Sequence, residues 1–238
     1  MRRRNNLGLR KNNLISLKWR CDMTEEANCD KSSRMYDRIV NLKLFEEPDG
    51  NSRTGYFSGR PIIVRDTPIN GGVYIGTNKR EAIVVDDRKY PIELNVVYEK
   101  VISIRKNFPI FKKGLLRTVH EVVMDVLKYD ESRTYEIIGN DTHDKKISIN
   151  AFLMKGVGVC RHQALLGGYI LERCIHEGLI RGKVSVDRNS IRGRGGHAWT
   201  RYVNSKSQIF IIDPAQNYFG LLSEVPESAW FYKRSHEV

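Results

Sequence analysis

One thiol in this sequence stands where it could act as a nucleophile. Cys160 opens the run Cys160–Gly178, in which Ala164, Leu165, Leu166, Tyr169, Ile170, Leu171, Cys174 and Ile175 are apolar and cover most of a helical circumference. The spacing predicts a largely buried helix that stops at Gly178. Cys160 then sits at its N-terminus, where unpaired backbone N–H groups and the helix dipole favour a thiolate. His197 follows the pair Gly195-Gly196 and opens a predicted strand, and Asp213 closes the next one. His197–Val203 and Gln208–Asp213 read as an antiparallel hairpin around Asn204–Ser207. A three-residue loop would put His197 directly opposite Asp213, and loops of two or four residues would make them offset neighbours. Direct partners on one face have Cβ atoms about 4.5–5.5 Å apart, within reach of a side-chain hydrogen bond. These three types suit acyl transfer: a thiolate to attack a carbonyl, an imidazole to move the proton, and a carboxylate to fix the ring. The oxyanion would use the backbone N–H of Cys160 and a second donor, for which Asn150 and Trp199 are the candidates.

Three ordered motifs carry a resemblance. Gly158-Val159-Cys160-Arg161-His162-Gln163-Ala164, Gly196-His197-Ala198-Trp199 and Ile212-Asp213-Pro214-Ala215 resemble the core motifs of the transglutaminase-like superfamily, in the same order and with similarly compact spacing. The resemblance covers about residues 115–220. It implies an α+β, papain-like fold, with the cysteine helix packed on an antiparallel sheet. It also implies Cys160 as nucleophile, His197 as base and Asp213 as its orienter. The papain signature C-G-[SA]-C-[WY] is absent, and the 37 residues from Cys160 to His197 are far fewer than papain's separation of roughly 130.

Other polar residues near the motifs read less sharply. Arg188, Arg192 and Arg194 lie in Asp187–Gly196, a Gly- and Arg-rich stretch expected to be a mobile loop. There they would form either a solvated loop or a basic rim that, with Trp199, receives an acidic substrate. His162 shares the active end of the helix and is expected as a surface or supporting contact. Cys160, His162, His197 and Asp213 lack any standard zinc spacing, so no metal is expected, and nothing calls for a cofactor. Cys174 lies 14 residues along the same helix, about 21 Å from Cys160, too far to bridge it.

The elements that would hold these residues can be read outward from the motifs. Leu115–Tyr129 has helical apolar spacing, with His120 beside the stripe as a structural residue. Residues 130–147 are polar and loop-like, and Ser148 should cap a short helix to Lys155. Lys183–Val186 is expected to be a short strand. Residues 36–110 look β-rich: Pro61–Asp66, Gly72–Gly76 and Glu81–Val85 are short β-branched runs, and Pro91–Arg105 is ambiguous between strand and helix. No chemistry signature appears there. The expected organisation is a basic, flexible tail over 1–35, a β-rich scaffold over 36–110 and a transglutaminase-like core over 111–238.

The chain has 238 residues, 40% hydrophobic and 29% charged, a globular composition able to bury a core. It has no run of 18 apolar residues, and four cysteines are too few for a disulfide scaffold. The net charge is +12, of which Arg2, Arg3, Arg4, Arg10, Lys11, Lys18 and Arg20 supply +7. Nucleic acid or an anionic surface would therefore bind only through this tail. No apolar h-region for a secretory signal is present, because Arg10, Lys11 and Lys18 interrupt Leu7–Trp19. A cytoplasmic location is favoured. Cys21 and Cys29 read as ordinary free thiols. The expected function is cysteine-dependent acyl transfer on amide bonds of a protein or peptide, favoured as glutamine transamidation or deamidation through a Cys160 thioester. The alternatives are a cysteine protease of the same fold and a noncatalytic interaction module.

Overall fold

The computed structural model describes residues 55–65, 67–76, 81–107, 114–139, 146–191, 195–234 and 237. The basic tail with Cys21 and Cys29, the first part of the expected β-rich region, and Arg192 and Arg194 lie outside the described residues. In chain order the elements are β1 (Tyr56–Phe57), β2 (Arg60–Pro61), β3 (Val73–Ile75), β4 (Ala82–Val84), α1 (Pro91–Asn107), α2 (Leu115–Val126), β5 (Lys128–Tyr129), α3 (Glu131–Ile138) and β6 (Lys146–Ser148). They continue with α4 (Ile149–Lys155), β7 (Val157–Gly158), α5 (Cys160–His176), β8 (Gly182–Ile191), β9 (Gly195–Asn204), β10 (Ile209–Asp213) and β11 (Tyr218–Leu221). The fold is mixed α+β.

A four-stranded antiparallel sheet, ordered β11-β10-β9-β8, forms the platform. Alternation along β9 divides its side chains between two faces. Ala198 and Tyr202 join the main core with α5, and the Thr200 Oγ1 donates to the Ala164 carbonyl at 2.8 Å. Trp199 and Ile211 face the other way and form a second cluster with Trp230 and Tyr232. The sheet is thus covered by a helix on one side and by the C-terminal segment on the other. Gly167 and Gly168 allow the close approach of α5. A Cβ on Gly167 would lie 2.8 Å from Thr200 Oγ1, and one on Gly168 would lie 2.6 Å from Ile69 Cδ1.

A second sheet, β3-β4-β6, pairs β4 antiparallel with β3 and parallel with β6. Ile63, Ile69, Tyr74, Ile83 and Val85 from this part share one hydrophobic core with α5. The core therefore runs across the expected boundary at residue 110.

Several expectations change. Pro91–Asn107 is helical: Leu94, Val97, Tyr98 and Val101 are buried at the i, i+3, i+4, i+7 spacing, and Pro91 occupies the first turn, where its missing N–H costs nothing. Its Val and Ile content is overruled by that spacing. Of the expected strand Pro61–Asp66, the described residues 61–65 hold only the end of the two-residue β2 and a bridge at Ile62. Residues 130–147 are not all loop, because Asp130 accepts from the Arg133 N–H and caps α3, which buries Thr134 and Ile138. The stretch expected as a mobile loop from Asp187 is mostly strand. β8 continues to Ile191 and pairs along its length with β9, leaving only residues 192–194 between them. Its polar residues misled because they are buried and bonded within the fold: Asp187 is fully buried and held by Arg234.

Candidate functional site

Cys160 is the first residue of α5 and keeps partial exposure. Its turn is fixed by an unusual cap: Val159 at the N-cap position has no capping side chain, and the His162 ring reaches back so that Nδ1 accepts from the Val159 N–H at 3.1 Å. Gly158 makes room for that ring, since a Cβ there would lie 2.8 Å from His162 Cβ. His162 is fully buried rather than at the surface, with Nε2 3.3 Å from Glu81 Oε1. The same oxygen accepts from Arg161 Nε at 2.6 Å. Burial alone would push the Glu81 carboxyl up, but the bonds from His162 and Arg161 hold it at about 2. The residue just before β4 thereby clamps the first turn of α5, a role the sequence reading missed.

His197 begins the functional end of β9, paired across the strands with Asn189 on β8. The hairpin loop shifts the register. Val203 faces Ile209 and Thr200 faces Ile212, so His197 and Asp213 are diagonal neighbours rather than direct partners. The side chains still meet: His197 Nε2 lies 2.5 Å from Asp213 Oδ2. Asp213, fully buried, also accepts from Tyr232 Oη at 2.7 Å on Oδ2 and from the Gln216 N–H at 3.2 Å on Oδ1.

The other side of the imidazole serves Cys160. Burial works against a thiolate here. The hydrogen bond with His197, the charges of His197 and Arg161, and the backbone of Ala198 outweigh it and bring the thiol below its ordinary 9.0. Burial likewise disfavours an imidazolium, but the bonds to Asp213 and Cys160 raise His197 to about 9. Both shifts favour the thiolate–imidazolium form of the pair. Cys174, by contrast, is pushed up to about 11, chiefly by burial.

A cleft of about 430 Å³ is bounded by Glu121, Asp125, Lys128, Tyr129, Gln163 and Pro214, and not by the three members of this group. Pro214 follows Asp213, and Gln163 lies on the first turn after Cys160. Burial and the Cys160 charge both push the Tyr129 phenol up, which places that ring within electrostatic reach of the sulfur.

The remaining candidates fall elsewhere. Arg188 belongs to β8, and its Nη1 donates to the Ile75 carbonyl at 2.8 Å, so it ties two parts of the fold together instead of forming a loop rim. Trp199 is 2% exposed and packs edge-on against Tyr232, which removes it from substrate contact. Asn150 spends its amide on the Tyr90 carbonyl and Glu93 Oε2, at 2.9 and 2.6 Å, and is no oxyanion donor. His120 is buried, with its ring engaged by the backbone of Asp213. The sequence reading also passed over Trp230 and Tyr232. The available signal was an aromatic triplet, Trp230-Phe231-Tyr232, in an otherwise polar C-terminus.

Among the described residues no group of His, Cys, Asp or Glu could hold a metal ion, and no helix is long and apolar enough to cross a membrane. Comparison with protein-family models, curated proteins and solved structures returned no match.

Proposed function

We propose that this chain is a thiol acyl-transfer enzyme with a papain-like, transglutaminase-like core, acting on amide bonds of proteins or peptides. The observation that carries the reading is the contact chain Cys160–His197–Asp213, with the thiol shifted down and the imidazole up. Order and spacing of the motifs support it as well.

The Cys160 thiolate attacks the amide carbonyl, and the carbonyl π pair moves onto oxygen. The backbone N–H groups at the start of α5 are the nearest fixed positive end for that oxyanion. As the C–N bond breaks, the His197 imidazolium gives its proton to the departing nitrogen. Ammonia leaves if the amide is a glutamine side chain. His197, now neutral, takes a proton from the incoming water or amine, which attacks the thioester and restores the thiolate. Asp213 holds the ring so that one nitrogen always faces the sulfur.

Glutamine chemistry is favoured over backbone cleavage. A glutamine-containing protein, the enzyme and a tagged primary amine should give tag uptake and free ammonia. Without amine, each modified glutamine should gain about 1 Da with no new N-terminus, the change of NH₂ to OH left by hydrolysis of the thioester. New peptide termini without ammonia would replace this reading with proteolysis. No product of either kind would favour a noncatalytic module.

A further inference from the structure

Alternation along the sheet places the side chains of His197, Trp199, Arg201, Ile211 and Asp213 on the face away from α5, the face that the C-terminal segment covers. That segment touches both members of the His–Asp pair. Tyr232 Oη donates to Asp213 Oδ2, the same oxygen that holds His197. The Trp230 ring lies 4.9 Å from the His197 ring, tilted by 58°. Asn189, which faces His197 across the strands, fixes the segment at two points: its Oδ1 accepts from Trp230 Nε1 and its Nδ2 donates to the Phe231 carbonyl, both at 2.6 Å. Farther along, Arg234 donates to both oxygens of the buried Asp187, and Glu237 pairs with the buried Arg201. An ionic anchor thus holds the aromatic pair against the imidazole and its carboxylate.

We propose that the C-terminal segment Trp230–Tyr232 is a positioning element for the proposed acyl transfer, with Tyr232 setting the Asp213 carboxylate and Trp230 closing the imidazole off from water. The inference rests on the acyl-transfer reading for its purpose, but it acts through the state of the thiol and needs no substrate to be tested. A buried carboxylate holds its charge through the donors it accepts from. Without the Tyr232 hydroxyl, Asp213 Oδ2 loses the donor that fixes it opposite His197, and the bond that holds the imidazolium beside Cys160 weakens.

The test is the rate of Cys160 alkylation by iodoacetamide at pH 6 in the full chain. Tyr232→Phe keeps the ring and should slow the reaction about three- to tenfold, in a protein that near-ultraviolet circular dichroism shows to be folded. Added to Asp213→Asn, it should have almost no further effect, because both changes act through one carboxylate. Trp230→Leu should slow alkylation as well and supplies a second variant if Tyr232→Phe folds poorly. A wild-type rate in both folded single variants overturns the proposal. So does a Tyr232→Phe loss that is multiplied in full on top of Asp213→Asn, since independence is what a purely structural contact would show. Failure of amine uptake or deamidation with this alkylation pattern intact would sink only the choice of reaction.

Discussion

Replacing Asp213 with Asn tests the central electrostatic claim. The carboxylate is fully buried and accepts three hydrogen bonds, from His197 Nε2, Tyr232 Oη and the Gln216 N–H. An amide has one oxygen. If that oxygen takes the place of Oδ2, the new NH₂ meets the Gln216 N–H, donor against donor. In the opposite orientation it meets His197 and Tyr232. Either way the negative charge is gone. A hydrogen bond to a charged group contributes about 1.5–3 kcal/mol, and one pKa unit corresponds to about 1.4 kcal/mol. His197 should therefore fall by roughly one to two units from its value of about 9, and the Cys160 thiol should rise as its cation weakens. The assay is the alkylation rate of Cys160 across pH 4–10, with near-ultraviolet circular dichroism to check the fold. The expected result is a loss of the plateau between the two titrations and roughly tenfold or more slower reaction at pH 6. Turnover of an amide substrate should fall further, toward the ~10⁴-fold seen when a triad orienter is neutralised. A folded Asp213→Asn protein with the wild-type alkylation profile would refute the claim that Asp213 stabilises the imidazolium.

Three further outcomes follow from the same geometry. Limited alkylation near pH 6 followed by peptide mapping should modify Cys160 first and leave Cys174 untouched, since burial holds the latter up at about 11; prior modification of Cys21, Cys29 or Cys174 would contradict this. Folded His197 keeps a proton up to about 9 that the unfolded chain loses near 6.5, while folded Cys160 gives one up below its ordinary 9.0, so the two proton changes oppose each other in the pH dependence of stability. Cys160→Ala removes that opposition and leaves His197 raised by Asp213 alone: His197 then contributes stability that is full below 6.5 and is lost as pH rises through its folded value, so Tm should decline relative to wild type as pH rises above 6.5. A flat difference would mean that His197 is not protonated in the folded state. Glu81→Gln should cost about 3–5 kcal/mol in urea unfolding, because the buried Arg161 loses its carboxylate partner; a loss under 1 kcal/mol would show the clamp to be incidental.

The candidate triad was legible because each member sits at a structural boundary with a local signature. Cys160 starts an apolar helical run, His197 follows two glycines, and Asp213 ends a β-branched strand before proline. Their contact does not require direct pairing, because a two-residue slip on a strand keeps side chains on the same face. The diagonal geometry closes at 2.5 Å since histidine is long enough to span it. Where the polar sequence of residues 187–191 suggested a loop, burial had been made tolerable by partners far along the chain. Asp187 meets Arg234, and Asn189 meets Trp230 and Phe231. Local patterning carries no trace of such long-range satisfaction, so only Lys183–Val186 of the ten-residue β8 is legible as strand.

The same reasoning explains why the region before residue 110 looked inert. Its contribution is a single carboxylate, Glu81, at the edge of a three-residue strand, and a lone glutamate has no spacing to announce it. Only the folded chain brings it to Arg161 and His162, two residues that the resemblance had already placed in the cysteine motif. Arg161 then carries a charge next to Cys160, and His162 caps the turn from which the thiol projects. The three-stranded sheet β3-β4-β6 and the C-terminal segment thus act on opposite ends of one contact chain. Glu81 secures the helix that carries the sulfur, and Tyr232 secures the carboxylate that orients the imidazole. A thiol and an imidazole drawn from different layers need both layers fixed, and in this fold each is fixed by chain outside the three motifs.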